Sequence, residues 1–421
     1  MSLASLGSAG GVSDGERRDA ADPLRHLRAR FHLPEGTIYL AGNSLGPAPV
    51  AAFADMETAL RREWAEGLVR SWNDAGWFAL VGSLGDRLGR LVGAGPGQTV
   101  VCDSVSVNVY KALHAALALR PDRNVIVAEG GSFPTDLYVA EGVAATRPDI
   151  ELKLEGVDAE KIEDLIDERT AVVLVNHVDY KTGELRDMAA LNRLIHARGA
   201  IAVWDLCHSA GVVPVDLDGA GADLAVGCTY KYLNCGPGAP AFIYAGSRHH
   251  EALSQPLSGW WGHAAPFAFE RGYRPAGGIQ RLLCGTQPIL SMRVVDAGLA
   301  AIEDVEMSAL RAKSLALTDL FMDLVEPVCR AHGASIVTPR AHAARGSQVS
   351  ITFEHGFAVV QALIARGVVG DFRAPDMMRF GFAPAYLGYA DVQAAAEAFN
   401  EVMTSGRSEE HTSELQSRIT I

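Results

Sequence analysis

From Thr99 onward the chain alternates short, unbroken apolar runs with stretches whose apolar positions recur at helical spacing. The runs TVVC, NVIVAE, IELKL, AVVLVN, IAVWD, DLAVGC and PAFIYA, between Thr99 and Ala245, predict strands buried on both faces, because a half-exposed strand would alternate apolar with polar residues. Helical spacing predicts helices over Val107–Leu119, Thr135–Ala145, Ala159–Ile166 and Met188–Arg198. Strands alternating with helices imply βαβ units, so an α/β fold with a mostly parallel sheet is expected. After Met292 the pattern changes to long helices with a few strands, SIVTP, QVSITF and MMRFGF. The change predicts a large domain over residues 66–291 and a smaller α/β domain over 292–405, with the segment 23–65, around Ile38–Ala52, packing on the small domain. Residues 1–22, rich in Gly, Ser and Ala and then charged, predict a mobile arm. No internal repeat is present.

The last residues have a different origin. RSEEHTSELQS (Arg407–Ser417) resembles the translation of a sequencing-adapter string, so residues 406–421 are set aside as an artefact and the native C-terminus is left unidentified.

Composition narrows the function classes. With 421 residues, 48% hydrophobic and 21% charged, the chain is long and apolar enough for two packed domains. A net charge of −13 argues against a nucleic-acid or anionic-membrane partner, which calls for a basic face. Six cysteines without a C-x-x-C pair predict free, buried thiols and a reducing compartment. The N-terminus lacks a basic region followed by an apolar core, and no apolar stretch reaches the roughly 18 residues of a membrane span. A soluble cytoplasmic protein is the expectation.

Candidate chemistry lies between Ala202 and Gly238. The run IAVWD delivers Asp205 to the C-terminal edge of the predicted sheet, where open α/β sheets bind ligands. DLAVGC is followed by Thr229, Tyr230 and Lys231, then by Gly236, Pro237 and Gly238, which place Lys231 on a loop after a strand. Read singly, Asp205 is a strand-end cap and Lys231 a solvated lysine. Together they match what pyridoxal 5'-phosphate (PLP) requires: an amine for its aldehyde, and an anion that keeps its pyridine nitrogen protonated and electron-withdrawing. Asp205 and His208 could also be read as metal ligands, but no third donor stands at suitable spacing, so no metal is expected.

Further motifs join these two segments: YLAGNSLG (Tyr39–Gly46), DSVSVN (Asp103–Asn108), SFPTDLY (Ser132–Tyr138), NHVDYKTGE (Asn176–Glu184), LSGWWGH (Leu257–His263) and GTQPIL (Gly285–Leu290). With WDLCHSAG and TYKYLNCGPG they resemble the kynureninase family over roughly Tyr39–Asn400. The resemblance implies an aminotransferase-like, fold type I PLP enzyme. It also implies a homodimer with active sites shared across the interface, and hydrolysis of L-kynurenine, with its 3-hydroxy form as a second candidate, to anthranilate and L-alanine in tryptophan catabolism and NAD biosynthesis.

The resemblance also implies roles. Val105 and Ser106, at a helix start that favours anions, would hold the cofactor phosphate, helped by Tyr230 and, from across the dimer, by Trp260 and Thr286. Phe133 would stack on the pyridine ring, with Asp136 a polar contact nearby. Asn176 would offer its amide to the ring substituents, and His208 would support the cofactor or Asp205. Lys231 would be Schiff-base lysine and general base, and Tyr230 proton donor and acceptor in the later steps. Arg379, in MMRFGFAP, would receive the substrate carboxylate, with Arg373 a weaker candidate. Trp64 and Gly285, beside Thr286, resemble the bacterial pattern that prefers kynurenine to 3-hydroxykynurenine, since an apolar wall offers a hydroxyl no partner.

Two rivals stand beside this reading. A cysteine desulfurase or selenocysteine lyase would share Asp205 and Lys231 but needs a mobile catalytic cysteine, whereas Cys207, Cys228 and Cys235 look like packing thiols. A non-catalytic or misfolded paralogue would be expected to lack Lys231, Asp205 or Arg379, and all three are present.

Overall fold

The computed structural model describes residues 13–159 and 161–405. The tail set aside as adapter-derived and the first twelve residues of the expected arm lie outside the described residues. All the apolar runs predicted as strands between Thr99 and Ala245 pair into one seven-stranded sheet. Across the sheet the order is Thr99–Val101, Phe242–Ala245, Leu224–Gly227, Ile201–Asp205, Thr170–Asn176, Val125–Glu129 and Glu151–Glu155. Phe242–Ala245 is antiparallel to both of its neighbours, and the remaining pairs are parallel. The central strands are buried along their whole length, which is why they read as unbroken apolar runs rather than alternating ones. Glu151–Glu155, at the edge, is instead ELKLE, whose charges discourage pairing with another chain.

Helix starts follow local capping chemistry. Ser104 caps Val105–Leu119 through Val107 N–H, and Asp187 caps Met188–Ala197 through Ala190 N–H. The helix Trp77–Leu91 lies against the first strand at Gly85, where a Cβ would collide with the Thr99 carbonyl.

The C-terminal part forms a four-stranded sheet, in the order Asp371–Arg373, Met377–Gly381, Gln348–Thr352 and Ser335–Ile336. The long helices Met307–Ala331 and Tyr389–Ser405 pack together beside it. The strand Ile38–Tyr39 pairs in parallel with Val368–Val369, joining the N-terminal segment to this part. Residues 13–22, expected within a mobile arm, instead contain a helix, Asp14–Ala21, closed by a Ser13–Glu16 capping box. Asp19 accepts the N–H groups of Tyr389 and Ala390, and Arg18 lies over the Tyr389 ring at 4.1 Å. Docking on a distant helix start is what a local compositional reading misses. Among the described residues no helix is long and apolar enough to cross a membrane.

Candidate active site

Three strands end on the same edge of the large sheet with polar residues: Glu129, Asn176 and Asp205, the last two in direct register. The turn after Gly227 brings Lys231 to that edge. Asn234, Gly236 and Gly238 take left-handed backbone there, a conformation that explains the glycines around Pro237. Gly46 of the YLAGNSLG motif lies against this turn: its N–H donates to the Tyr230 carbonyl at 2.8 Å, and a Cβ on it would collide with the Lys231 carbonyl and Asn234.

One cavity at this edge is lined by Val105, Ser106, Phe133, Asp136, Asn176, Asp205, His208, Tyr230 and Lys231, together with Thr135 and Cys207. Lys231 Nζ is 2.9 Å from His208 Nε2 and 5.8 Å from the Phe133 ring centre. His208, expected to support the cofactor or Asp205, thus reaches the lysine itself. Burial, and next the Lys231 charge, push its pKa well below the usual imidazole value, which favours the neutral ring and lets Nε2 accept a hydrogen bond from the lysine. Asp205 is buried and accepts the Cys207 backbone N–H at 2.6 Å. Asp136, buried beside it, has its pKa pushed well above the carboxylate range by burial and then by the Asp205 charge.

Asn176 is oriented by residues that the sequence did not single out. Its side-chain amide donates to Ser132 Oγ at 2.6 Å and faces Glu129 at 3.4 Å, and its backbone N–H donates to Glu129 at 2.6 Å. Arg186 in turn holds Glu129. The amide N–H groups are therefore spent within the protein, and the carbonyl oxygen is what Asn176 can offer the cavity. Cys207, read as a packing thiol, lines the cavity wall and receives the Cys228 N–H on its sulfur at 3.2 Å. Burial, followed by the neighbouring Cys228, Cys207 and Asp205, raises the Tyr230 pKa above the ordinary phenol value. That direction favours a proton donor and works against the acceptor role.

Arg379 is buried, with Nε and Nη2 each 2.6 Å from the two oxygens of Asp371 on the adjacent strand. Nη1 donates to the Tyr180 carbonyl at 2.7 Å, and Nη2 to Ser44 Oγ at 3.1 Å. The Tyr180 ring stands edge-on to Phe133 at 5.2 Å and lies 5.9 Å from the Arg379 guanidinium. Tyr180 thus connects the cavity wall to the arginine. The NHVDYKTGE motif contained it without marking it.

Trp260, Thr286, Trp64, Gly285 and Arg379 are absent from the cavity lining. Trp260 donates its indole N–H to Thr286 Oγ1 at 3.2 Å and stacks on the buried Trp261. Trp64 is 56% exposed and lines a separate apolar cleft with Trp77, Pro288, Ile289 and Leu290. A Cβ on Gly285 would meet nothing within 4 Å.

The cavity residues fit PLP on observations independent of the motifs. Among the described residues no acceptor pairs with the Val105 and Ser106 N–H groups, which begin a 15-residue helix and so present an anion site. Asp136 Oδ2 and His208 Nδ1 are buried without a hydrogen-bond partner among the described residues, as expected of polar atoms that await a ligand. No group of three or more His, Cys, Asp or Glu among the described residues is placed to hold a metal ion.

Comparison with known proteins gives three levels of similarity. Among solved structures, an Escherichia coli cysteine desulfurase superposes with a TM-score of 0.75 at 18% identity, covering 91% of this chain and 98% of that one. An alanine–glyoxylate aminotransferase from Nostoc does so with a TM-score of 0.66 at 17% identity, covering 88% and 96%. These likenesses show the PLP-enzyme fold alone. Family models for the DegT/DnrJ/EryC1/StrS aminotransferase family and for the kynureninase C-terminal domain match residues 63–224 and 310–399. Kynureninases from Burkholderia pseudomallei and Pseudomonas fluorescens are 52% and 53% identical, each alignment covering 91% of this chain and 94% of the relative. At that identity over nearly the full length of both relatives, the chain belongs to the kynureninase family.

Proposed function

We propose that this protein hydrolyses the Cβ–Cγ bond of L-kynurenine, consuming one water and releasing anthranilate and L-alanine, with PLP held in the cavity at the sheet edge. The observation that carries the reading is the meeting of Lys231, Asp205, Asp136 and the unpaired helix start at Val105–Ser106 in one cavity. PLP, when bound, supplies an electron-poor ring that stabilises negative charge on the substrate carbon next to its amino group.

The chain's own groups would do the rest. Lys231 would carry the cofactor's aldehyde and, once freed, take the Cα proton, with neutral His208 accepting a hydrogen bond from its amine. Asp205 and Asp136 would hold the ring nitrogen, Phe133 the ring face and Asn176 Oδ1 a ring substituent. Val105, Ser106 and Tyr230 would take the phosphate, and Tyr230, kept neutral by its raised pKa, would donate a proton in the later steps. Arg379 would receive the substrate carboxylate with what remains of its fork, and Arg373 lies beside it, near Asp371.

A homodimer in the cytoplasm belongs to the same reading. Phe53, Leu60, Trp64, Leu68 and Val69 expose apolar surface along consecutive helical turns, a face suited to a second copy. Trp260 and Thr286, outside the cavity lining of their own chain, would then serve the partner's phosphate, and Trp64 with Gly285 the aryl end of the substrate. We also assign residues 66–291 to a large domain and 292–405, with 23–65, to a small one, because Ile38–Tyr39 pairs with Val368–Val369. A desulfurase reading lacks its mobile nucleophile: five of the six cysteines are buried, and Cys284 faces Asp103.

The test is purified protein with PLP and L-kynurenine, followed by anthranilate fluorescence beside a Lys231→Ala control. Anthranilate from the unaltered protein alone supports the reading. A PLP-bound protein that forms none refutes it.

A further inference from the structure

The motifs DSVSVN and GTQPIL each contain a polar residue that the proposed chemistry leaves unused, Asp103 and Gln287. The fold brings the two together although 184 positions separate them. Asp103 adopts left-handed backbone, φ 51°, one residue before Ser104, the cap of the helix whose first residues line the cavity. Its N–H donates to Gln287 Oε1 at 2.8 Å. Gln287 Nε2 donates back to the Gly285 carbonyl at 3.1 Å and faces Asp103 Oδ1 at 3.5 Å. On the other side Lys111 Nζ, fully buried, donates to Asp103 Oδ2 and to the Leu282 carbonyl, both at 2.7 Å. The loop 282–287 is therefore tied near both ends to one left-handed residue, and that residue sets the direction of the helix start.

We infer that Asp103, clasped by Lys111 and Gln287, is a positioning residue that fixes the phosphate-binding helix start and the Gly285–Thr286 loop relative to each other. The inference rests on the roles proposed for Ser106, Gly285 and Thr286. Hydrogen bonds suit this task because each has one good geometry, and the half-buried Asp103 is held by two side chains, Gln287 and Lys111, that are themselves buried. Neither Asp103 nor Gln287 lines the cavity, so their effect passes through the segments they hold.

The discriminating experiment compares Gln287→Met with Gln287→Ala in the full-length protein. Either change severs the clasp and leaves the Lys111–Asp103 ion pair intact, so no buried charge is stranded. Methionine restores most of the lost volume without the hydrogen bonds. Three quantities are measured: the PLP dissociation constant of the apo form by absorbance titration, KM and kcat for L-kynurenine at saturating PLP, and Tm. Both variants are expected to weaken PLP binding about tenfold, the factor for one hydrogen bond lost. KM should rise by more than kcat falls, with methionine no better than alanine. Wild-type PLP affinity and KM in Gln287→Met would overturn the inference and reduce Gln287 to packing. Unaltered protein that binds PLP but yields no anthranilate would refute the kynureninase reading alone, and the PLP affinities of the two variants would still decide the positioning role. Unaltered protein that fails to bind PLP would overturn both.

Discussion

Replacing Asp371 with alanine tests how Arg379, the arginine proposed to receive the substrate carboxylate, is held. The Asp371 and Arg379 side chains are 7% and 1% exposed and meet through two parallel hydrogen bonds of 2.6 Å. The remaining guanidinium contacts are the Tyr180 carbonyl and Ser44, both neutral. Asp371→Ala therefore leaves a buried cation without a counter-charge, a change that costs about 3–5 kcal/mol. Burial by itself would raise the Asp371 pKa, but the Arg379 hydrogen bonds and charge outweigh it and hold the carboxyl below its usual value. A depressed folded-state pKa stabilises fully above the unfolded-state value of about 3.9, and the gain is lost as pH falls through the folded one. The destabilisation should accordingly be flat from pH 5 to 8 and shrink only in acid. Urea denaturation of Asp371→Ala, Arg379→Met and the double variant measures it, with kinetics alongside. Each single change should lower the midpoint, the double change should cost clearly less than their sum, and Asp371→Ala should raise KM for L-kynurenine at least tenfold. An unchanged midpoint in Asp371→Ala, or strict additivity, would refute the argument.

Gly46→Ala should weaken PLP binding and reduce anthranilate formation, because its Cβ collides with the Lys231 carbonyl; PLP titration of the purified variant checks this. Gly285→Ser should fold with an unchanged Tm, since its Cβ meets nothing within 4 Å, and should shift the kcat/KM ratio toward 3-hydroxykynurenine by offering the hydroxyl a partner. Asp223→Ala should lower the urea midpoint while PLP affinity stays unchanged, as read by urea denaturation and PLP titration. Asp223 is buried at the far end of its strand from Lys231, where it accepts from Arg248, His196, His249 and the Ala202 N–H.

The sequence by itself determined the large sheet and the C-terminal edge to which Asp205 and Lys231 come, while the family resemblance supplied most of the other residues that line the cavity there. The reason is that each signal is local. A strand buried on both faces must be continuously apolar, Asp205 terminates one such run, and Lys231 follows another within a glycine-marked turn. What it left open depended on contacts between residues far apart in the chain. Asp14–Ala21 is polar enough to read as a mobile arm, and only its docking on Tyr389–Ser405 makes it part of the fold. Arg379 was legible as a candidate, whereas its partners Asp371, Tyr180 and Ser44 come from three separate segments. The reach of His208 to Lys231, and the spending of the Asn176 amide on Ser132 and Glu129, are matters of side-chain direction. Motif spacing carries no record of that direction, because it is set by the packing of neighbouring elements rather than by the residues of the motif.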